Sequence, residues 1–151
     1  MAAAIRDTTV RKQGEAALRQ SEERFAKAFQ TSPAALTITR AADNLYIDVN
    51  ESFLSIFGYD REEIIAKKST TISINTDPVQ RAEIVRQFHE HGSVNNYESV
   101  LQTKSGEFRN MLMSVDNLLL DDEAYFLTTM LDITDRKQYR GGLAAKRRTF
   151  R

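Results

Sequence analysis

Along residues 10–30 the apolar positions Ala17, Leu18, Phe25, Ala28 and Phe29 recur mainly at spacings of three, four and seven among good helix formers, which predicts a helix. Thr31-Ser32-Pro33 ends it, because the residue before a proline is pushed out of the helical region. The period then shortens to two in Leu36-Thr37-Ile38-Thr39 and in Leu45-Tyr46-Ile47-Asp48-Val49, two strands around an Asp43-Asn44 turn. From Asn50 it lengthens again: Asn50 caps a helix whose apolar face is Phe53, Leu54, Ile56 and Phe57, and Gly58 breaks it. Asp60 and Glu63 have the spacing of a capping box. Asp77-Pro78 is the clearest helix start, since Asp caps free N–H groups and Pro at the first helical position gives up no bond. Ile84, Val85 and Phe88 are expected to form the buried face of that helix and Gly92 its stop.

Beyond Gly92 the texture is β, with runs Tyr97–Gln102, Phe108–Leu120 and Tyr125–Ile133 joined by Lys104-Ser105-Gly106 and Asp121-Asp122-Glu123. Short polar links between β runs imply antiparallel neighbours. A lone hairpin is marginal in water, so both strand groups are expected in one sheet. The predicted fold is α+β: a five-stranded antiparallel sheet with helices packed over one face.

Composition narrows the chemistry. The 151 residues, 41% hydrophobic, suit one core of ordinary size. Cysteine is absent, which excludes disulfides, thiolate metal sites, thiol nucleophiles and cysteine-linked chromophores. No run of about 18 apolar residues occurs and no secretory leader is visible, so no membrane contact is expected within the segment, and a cytoplasmic location is. The net charge of zero hides an acidic body and a basic tail: residues 136–151 carry seven basic side chains and no acid. Nucleic acid is not an expected partner, because the tail has no aromatics beyond Tyr139 and Phe150 and Gly141-Gly142 weaken a basic helix.

The chain nearly repeats itself. Asp7-Thr8-Thr9-Val10-Arg11-Lys12-Gln13 returns as Asp132-Ile133-Thr134-Asp135-Arg136-Lys137-Gln138, five identities in seven, and the same offset of 125 places Leu18 on Leu143 and Phe25 on Phe150. Copies that bracket a domain-sized segment suggest junctions in a tandem array and favour relay over solitary catalysis.

Four elements resemble the PAS family of sensory modules over residues 21–138. Ser21-Glu22-Glu23-Arg24-Phe25 resembles the entry and Asn50-x-x-Phe53-x-x-x-Phe57-Gly58-Tyr59 the central signature. Lys104-x-Gly106 sits at the usual hairpin, and Asp132-Ile133-Thr134-Asp135-Arg136-Lys137 resembles the exit motif. Ala66 departs from the family, which commonly has glycine there. The resemblance implies an organisation of connector (1–20), PAS domain (21–135) and basic C-terminal connector (136–151), with helical connectors on both sides. It makes Asp7–Lys12 the exit of a preceding module, and it makes the chain an internal part of a signalling protein, a histidine kinase or a cyclic-dinucleotide enzyme.

Candidate chemistry is sparse. Asp132 and Thr134 can accept N–H bonds from a following helix while Asp135 adds negative charge at its positive end, so Asp132, Thr134, Asp135 and Arg136 are the expected signal relay. His89 and His91, near the end of the helix from Asp77, invite comparison with haem-binding relatives, but two residues apart they lie about 200° apart and cannot share a metal. Haem is therefore disfavoured; flavin is disfavoured as well, because the missing cysteine rules out a light-driven adduct and the missing tryptophan removes a common stacking partner, and no cofactor or metal is assigned. No nucleophile–base pair or phosphate-cradling loop is visible, so the segment is not expected to be an enzyme.

Ile38, Phe53, Phe57, Ile84, Phe88, Met111, Met113, Leu127 and Met130 are the candidate lining of a small-molecule cavity between sheet and helices. A closed, ligand-free core would contain the same residues, and a PAS domain used only for dimerisation or protein docking is the alternative. The inward orientation of Asn110, Ser114, Asn117, Thr128 or Thr129 would discriminate, because a buried polar group requires a partner. PAS modules pair through the N-terminal helix and the sheet face, so Leu18 and Phe25, one heptad apart, imply a homodimer; the alternative places Leu18 on its own sheet as a cap. Neighbouring domains of the same polypeptide are the other expected partners.

Overall fold

The computed structural model describes residues 2–69, 74–75 and 77–136, with side chains from residue 9 onward. Lys137, Gln138, Tyr139, Gly141, Gly142, Leu143, Phe150 and the C-terminal connector they belong to lie outside the described residues, as do the side chains of Asp7 and Thr8.

Helix α1 (Ala2–Thr31) leads into strand β1 (Ala35–Arg40) and β2 (Tyr46–Val49). Helices α2 (Glu51–Phe57), α3 (Arg61–Ile64) and α4 (Pro78–His91) follow, then β3 (Val94–Gln102), β4 (Phe108–Leu120) and β5 (Glu123–Asp132). The strands form one antiparallel sheet in the order β2-β1-β5-β4-β3, so the hairpin and the three-stranded meander are joined by pairing of the first and last strands. This is the α+β sheet that the alternating patterns predict.

The turns follow from residue type. Asn44 stands at φ 59° in the β1–β2 turn, and Asp121 and Asp122, at φ 48° and 62°, form the two-residue link from β4 to β5 with the twist a tight hairpin needs. Gly92, at φ 73°, ends α4 by returning its N–H to Phe88. Ala66 adopts φ 63° where glycine would be free of strain, and its N–H bonds the Tyr46 carbonyl at 2.9 Å.

The inward face of the sheet and the helices over it bury Phe53, Phe57, Ile64, Leu101, Met111, Val49 and Val94. One expectation is corrected. Val85 is 48% exposed, because α4 meets the sheet along the Ile84–Phe88 line and Val85 lies about 100° round the helix. The buried residue of α4 is the polar Gln80, whose amide accepts the Val100 N–H at 2.8 Å and donates to the Val100 carbonyl at 3.1 Å, pinning the start of α4 to the edge strand β3.

α1 touches the body only through its last turn. Residues 9–28 are exposed, Leu18 at 61% and Phe25 at 55%, whereas Phe29 is buried with Phe25 stacked on it at 5.9 Å. The alternative that Leu18 caps its own sheet is thereby overturned. Asn50 secures the junction: its amide donates to the carbonyls of Phe29 and Ala34 and its oxygen accepts from the N–H groups of Leu36 and Phe53, all at 2.9–3.0 Å. One buried side chain thus joins the end of α1, the start of β1 and the start of α2.

Candidate functional site

Two polar constellations share strand β5, where alternate residues face the same way. Thr128, Met130 and Asp132 therefore all turn toward the helix-covered face, paired on β4 with Val115, Met113 and Met111.

At the exit, Asp132 accepts from Arg109 Nε at 2.8 Å and lies 2.6 Å from Arg109 Nη2, with both contacts on Oδ2. Its Oδ1 accepts the Thr134 N–H at 3.0 Å and the Thr134 hydroxyl at 2.6 Å. The same hydroxyl accepts the Asn110 N–H at 2.9 Å, while the Ile133 N–H bonds the Asn110 carbonyl at 2.8 Å. Burial pushes the Asp132 carboxyl up, but the bonds from Thr134 and Arg109 outweigh it and hold the carboxyl below its usual value. The bonds to Asp132 and Glu107 raise the Arg109 guanidinium further.

Asp132 thus receives the first N–H of the outgoing turn, as expected, but Thr134 corrects its prediction: its hydroxyl turns back to β4 instead of forward into the helix. Asp135 and Arg136 are exposed. The first copy of the motif, Asp7–Gln13, is helical backbone inside α1. The second copy owes its geometry to Arg109 and Asn110 on the neighbouring strand, so the heptapeptide alone does not carry the cap.

Behind Met130 lies a cavity of about 200 Å³ between the sheet, α2, α4 and the segment before α4. Its apolar wall includes Phe53, Leu101, Met113, Met130, Ile84 and Phe126. Thr37, Thr39, Tyr46 and Thr128 bring hydroxyls to it, and Arg81 brings a cation. Among the described residues none of those hydroxyls hydrogen-bonds to the protein, and Arg81 has no ion pair. Burial pushes the Tyr46 phenol up to about 12; the charge of Tyr59 adds to this, and the nearby Arg81 guanidinium opposes it. The lining contains no carboxylate.

Of the predicted lining, Phe53, Ile84, Met113 and Met130 meet at this cavity. Phe88 lines a neighbouring depression of about 350 Å³ that shares Ile84 and Phe126, with Phe88 and Phe126 edge to face at 4.9 Å. Phe57 and Met111 are in the core without reaching the cavity. Ile38 and Leu127 are corrected outright: they pair with each other on the opposite face of the sheet, because the inward set on β1 is Ala35, Thr37 and Thr39. Of the discriminating polar residues Thr128 faces the cavity, while Asn110, Ser114, Asn117 and Thr129 do not line it. His89 and His91 are exposed at the end of α4.

Arg81 and Tyr46 escaped sequence reasoning, although a signal existed for one. Arg81 precedes Ile84 by three and Phe88 by seven, which puts a charge on the apolar face of α4.

A family profile described as "PAS domain" matches residues 33–135. The chain is 25% identical over 148 residues to sporulation kinase E of Bacillus subtilis (strain 168), covering 97% of this chain and 19% of that protein; it thus spans about a fifth of the curated relative. Two solved structures share the fold. The PAS domain of an HTR-like protein from Haloarcula marismortui has a TM-score of 0.61 at 23% identity, over 81% of this chain and 99% of its own. The PAS domain, in complex with ethanol, of a LuxR-family transcriptional regulator from Burkholderia thailandensis has a TM-score of 0.59 at 21% identity, over 72% and 96%.

Proposed function

Because this chain belongs to the PAS domain family, we propose that it is a sensory relay module that couples its internal cavity to the helix leaving at Thr134. The observation that carries this reading is the placement of Thr128 and Met130, in the cavity wall, on the same strand and the same face as Asp132, which anchors the exit. A ligand that presses on Met130 acts on the strand whose end holds Thr134, and a shift of a few tenths of an ångström there re-aims the outgoing helix. The likeness to a sporulation kinase supports a histidine kinase as the parent, and the absence of a helix long and apolar enough to cross a membrane among the described residues agrees with a cytoplasmic setting. The small-molecule complex of the Burkholderia relative supports a ligand as the stimulus. No step of catalysis is assigned to these residues.

The test is Asp132→Ala in the parent protein, with output measured as autophosphorylation. Loss of stimulus dependence with a retained fold is expected; unchanged switching would sink the relay.

A second reading, a ligand-free dimerisation or docking module, draws on α1. Leu18 and Phe25, exposed one heptad apart on a helix that leaves the body, suit a parallel partner helix. In the relay reading this homodimer aligns paired exit helices with neighbouring domains. A monomeric mass at tens of micromolar would remove it.

A further inference from the structure

We propose that the cavity takes a small organic carboxylate with a short apolar body, held by Arg81; this rests on the sensory reading and names the class of stimulus. Arg81 leaves the first turn of α4 into a space with no acidic lining residue. Among the described residues, the acids nearest Arg81 in sequence are engaged elsewhere. Asp77 spends its carboxylate on the N–H groups of Val79 and Gln80, and Glu83 on Arg86 and Gln87. Residues 70–73 and 76 are Thr, Thr, Ile, Ser and Thr, so the neighbouring sequence adds no acid. Arg40, Arg61, Arg86 and Arg109 all have carboxylate partners. Arg81 is half-buried at this lining, so its guanidinium offers its donors to an anion that enters the space.

The hydroxyls complete the specification. Thr37, Thr39, Tyr46 and Thr128 turn hydroxyls toward the same space, where each can donate to an incoming acceptor. Hydroxyl donors beside one guanidinium match two carboxylate oxygens. A phosphate dianion asks for more cationic and backbone N–H donors than a single arginine supplies. The remaining wall, Phe53, Leu101, Met113 and Met130, suits carbon. At ~30 Å³ per water the 200 Å³ cavity equals about six or seven waters, the room of an acid of a few carbons. Gln80, adjacent in sequence and tied to Val100, holds the base of Arg81 in place.

The test is NMR titration of the isotope-labelled 151-residue chain with straight-chain acids from acetate to hexanoate, their amides, and inorganic phosphate. One acid, such as butyrate, is expected to shift the amides of Tyr46, Arg81 and Met130 saturably and to bind at least tenfold more tightly than butyramide. Arg81→Gln, with a dispersed spectrum that reports an intact fold, is expected to lose at least tenfold for the acid and little for the amide. Equal binding of acid and amide overturns the carboxylate while leaving a small-molecule sensor. Preference for phosphate overturns the organic class. No saturable shift at the cavity with any acid overturns the inference, and the Asp132→Ala experiment then judges the relay separately.

Discussion

Arg109 and Arg81 lie on the same side of one sheet and are treated in opposite ways. Arg109, on β4, meets Asp132 and Glu107, and the Asp132 carboxylate is in turn shared with Thr134, so donors and acceptors close on themselves. Arg81, on α4, lines a cavity with hydroxyls that, like it, have no hydrogen-bond or ion-pair partner among the described residues. A closed polar network specifies one geometry, while an open one inside a core leaves its requirement to something outside the chain. On the proposed reading, the contrast separates the part of the domain that would transmit from the part that would receive.

The sharpest way to probe the closed class is Asn50→Ala, which removes four buried hydrogen bonds at once. At about 1 kcal/mol each, discounted for relaxation, the expected loss is about 3 kcal/mol in chemical denaturation, with α1 freed from the body. Asp132→Ala comes next at about 2 kcal/mol, since it leaves Arg109 Nε and Nη2 and the Thr134 N–H without their acceptor, although Arg109 keeps Glu107. A cost near zero would remove Asp132 from the closed class.

Acid gives the same test without mutation. The folded state holds the Asp132 carboxyl below its ordinary 3.8, so its contribution is full above that pH and is lost as pH falls through the folded value. Denaturation midpoints should decline on going from pH 6 toward pH 3, and less steeply in Asp132→Ala.

Ala66→Gly, which relieves the positive φ beside Tyr46, should stabilise by about 0.5 kcal/mol; a loss of stability would show that the turn carries no strain. The smallest effect is reserved for the open class. Arg81→Gln should change stability by no more than about 0.5 kcal/mol, because it breaks no protein bond. A cost matching that of Asp132→Ala would erase the distinction between the two arginines.

Much of this was legible in residue order. Phe108–Leu120 coincides with β4, and the caps at Asn50, Asp77, Gly58 and Gly92 are where helical spacing and turn chemistry put them, since caps and turns depend on a few adjacent residues. The four strongest lining residues, Phe53, Ile84, Met113 and Met130, were also accessible from composition and period. Ile38 and Leu127 were not, because alternation reveals that two faces exist and not which one the helices cover. Arg81 had a signal in its spacing to Ile84 and Phe88, but only packing shows that this face of α4 borders a cavity.

The sequence by itself determined which elements exist and in what order, the caps at Asn50, Asp77, Gly58 and Gly92, the tight turns and the exclusion of cysteine chemistry, because each depends on residue type and near-neighbour geometry; it missed the start of α1, expected at residue 10 and found at Ala2. Only the tertiary structure decided that β1 pairs with β5, that Thr134 turns back to Asn110, and that Tyr46 and Arg81 share a cavity. Those facts join residues 24 to 95 positions apart, and whether a polar group is satisfied is settled by what packing places beside it.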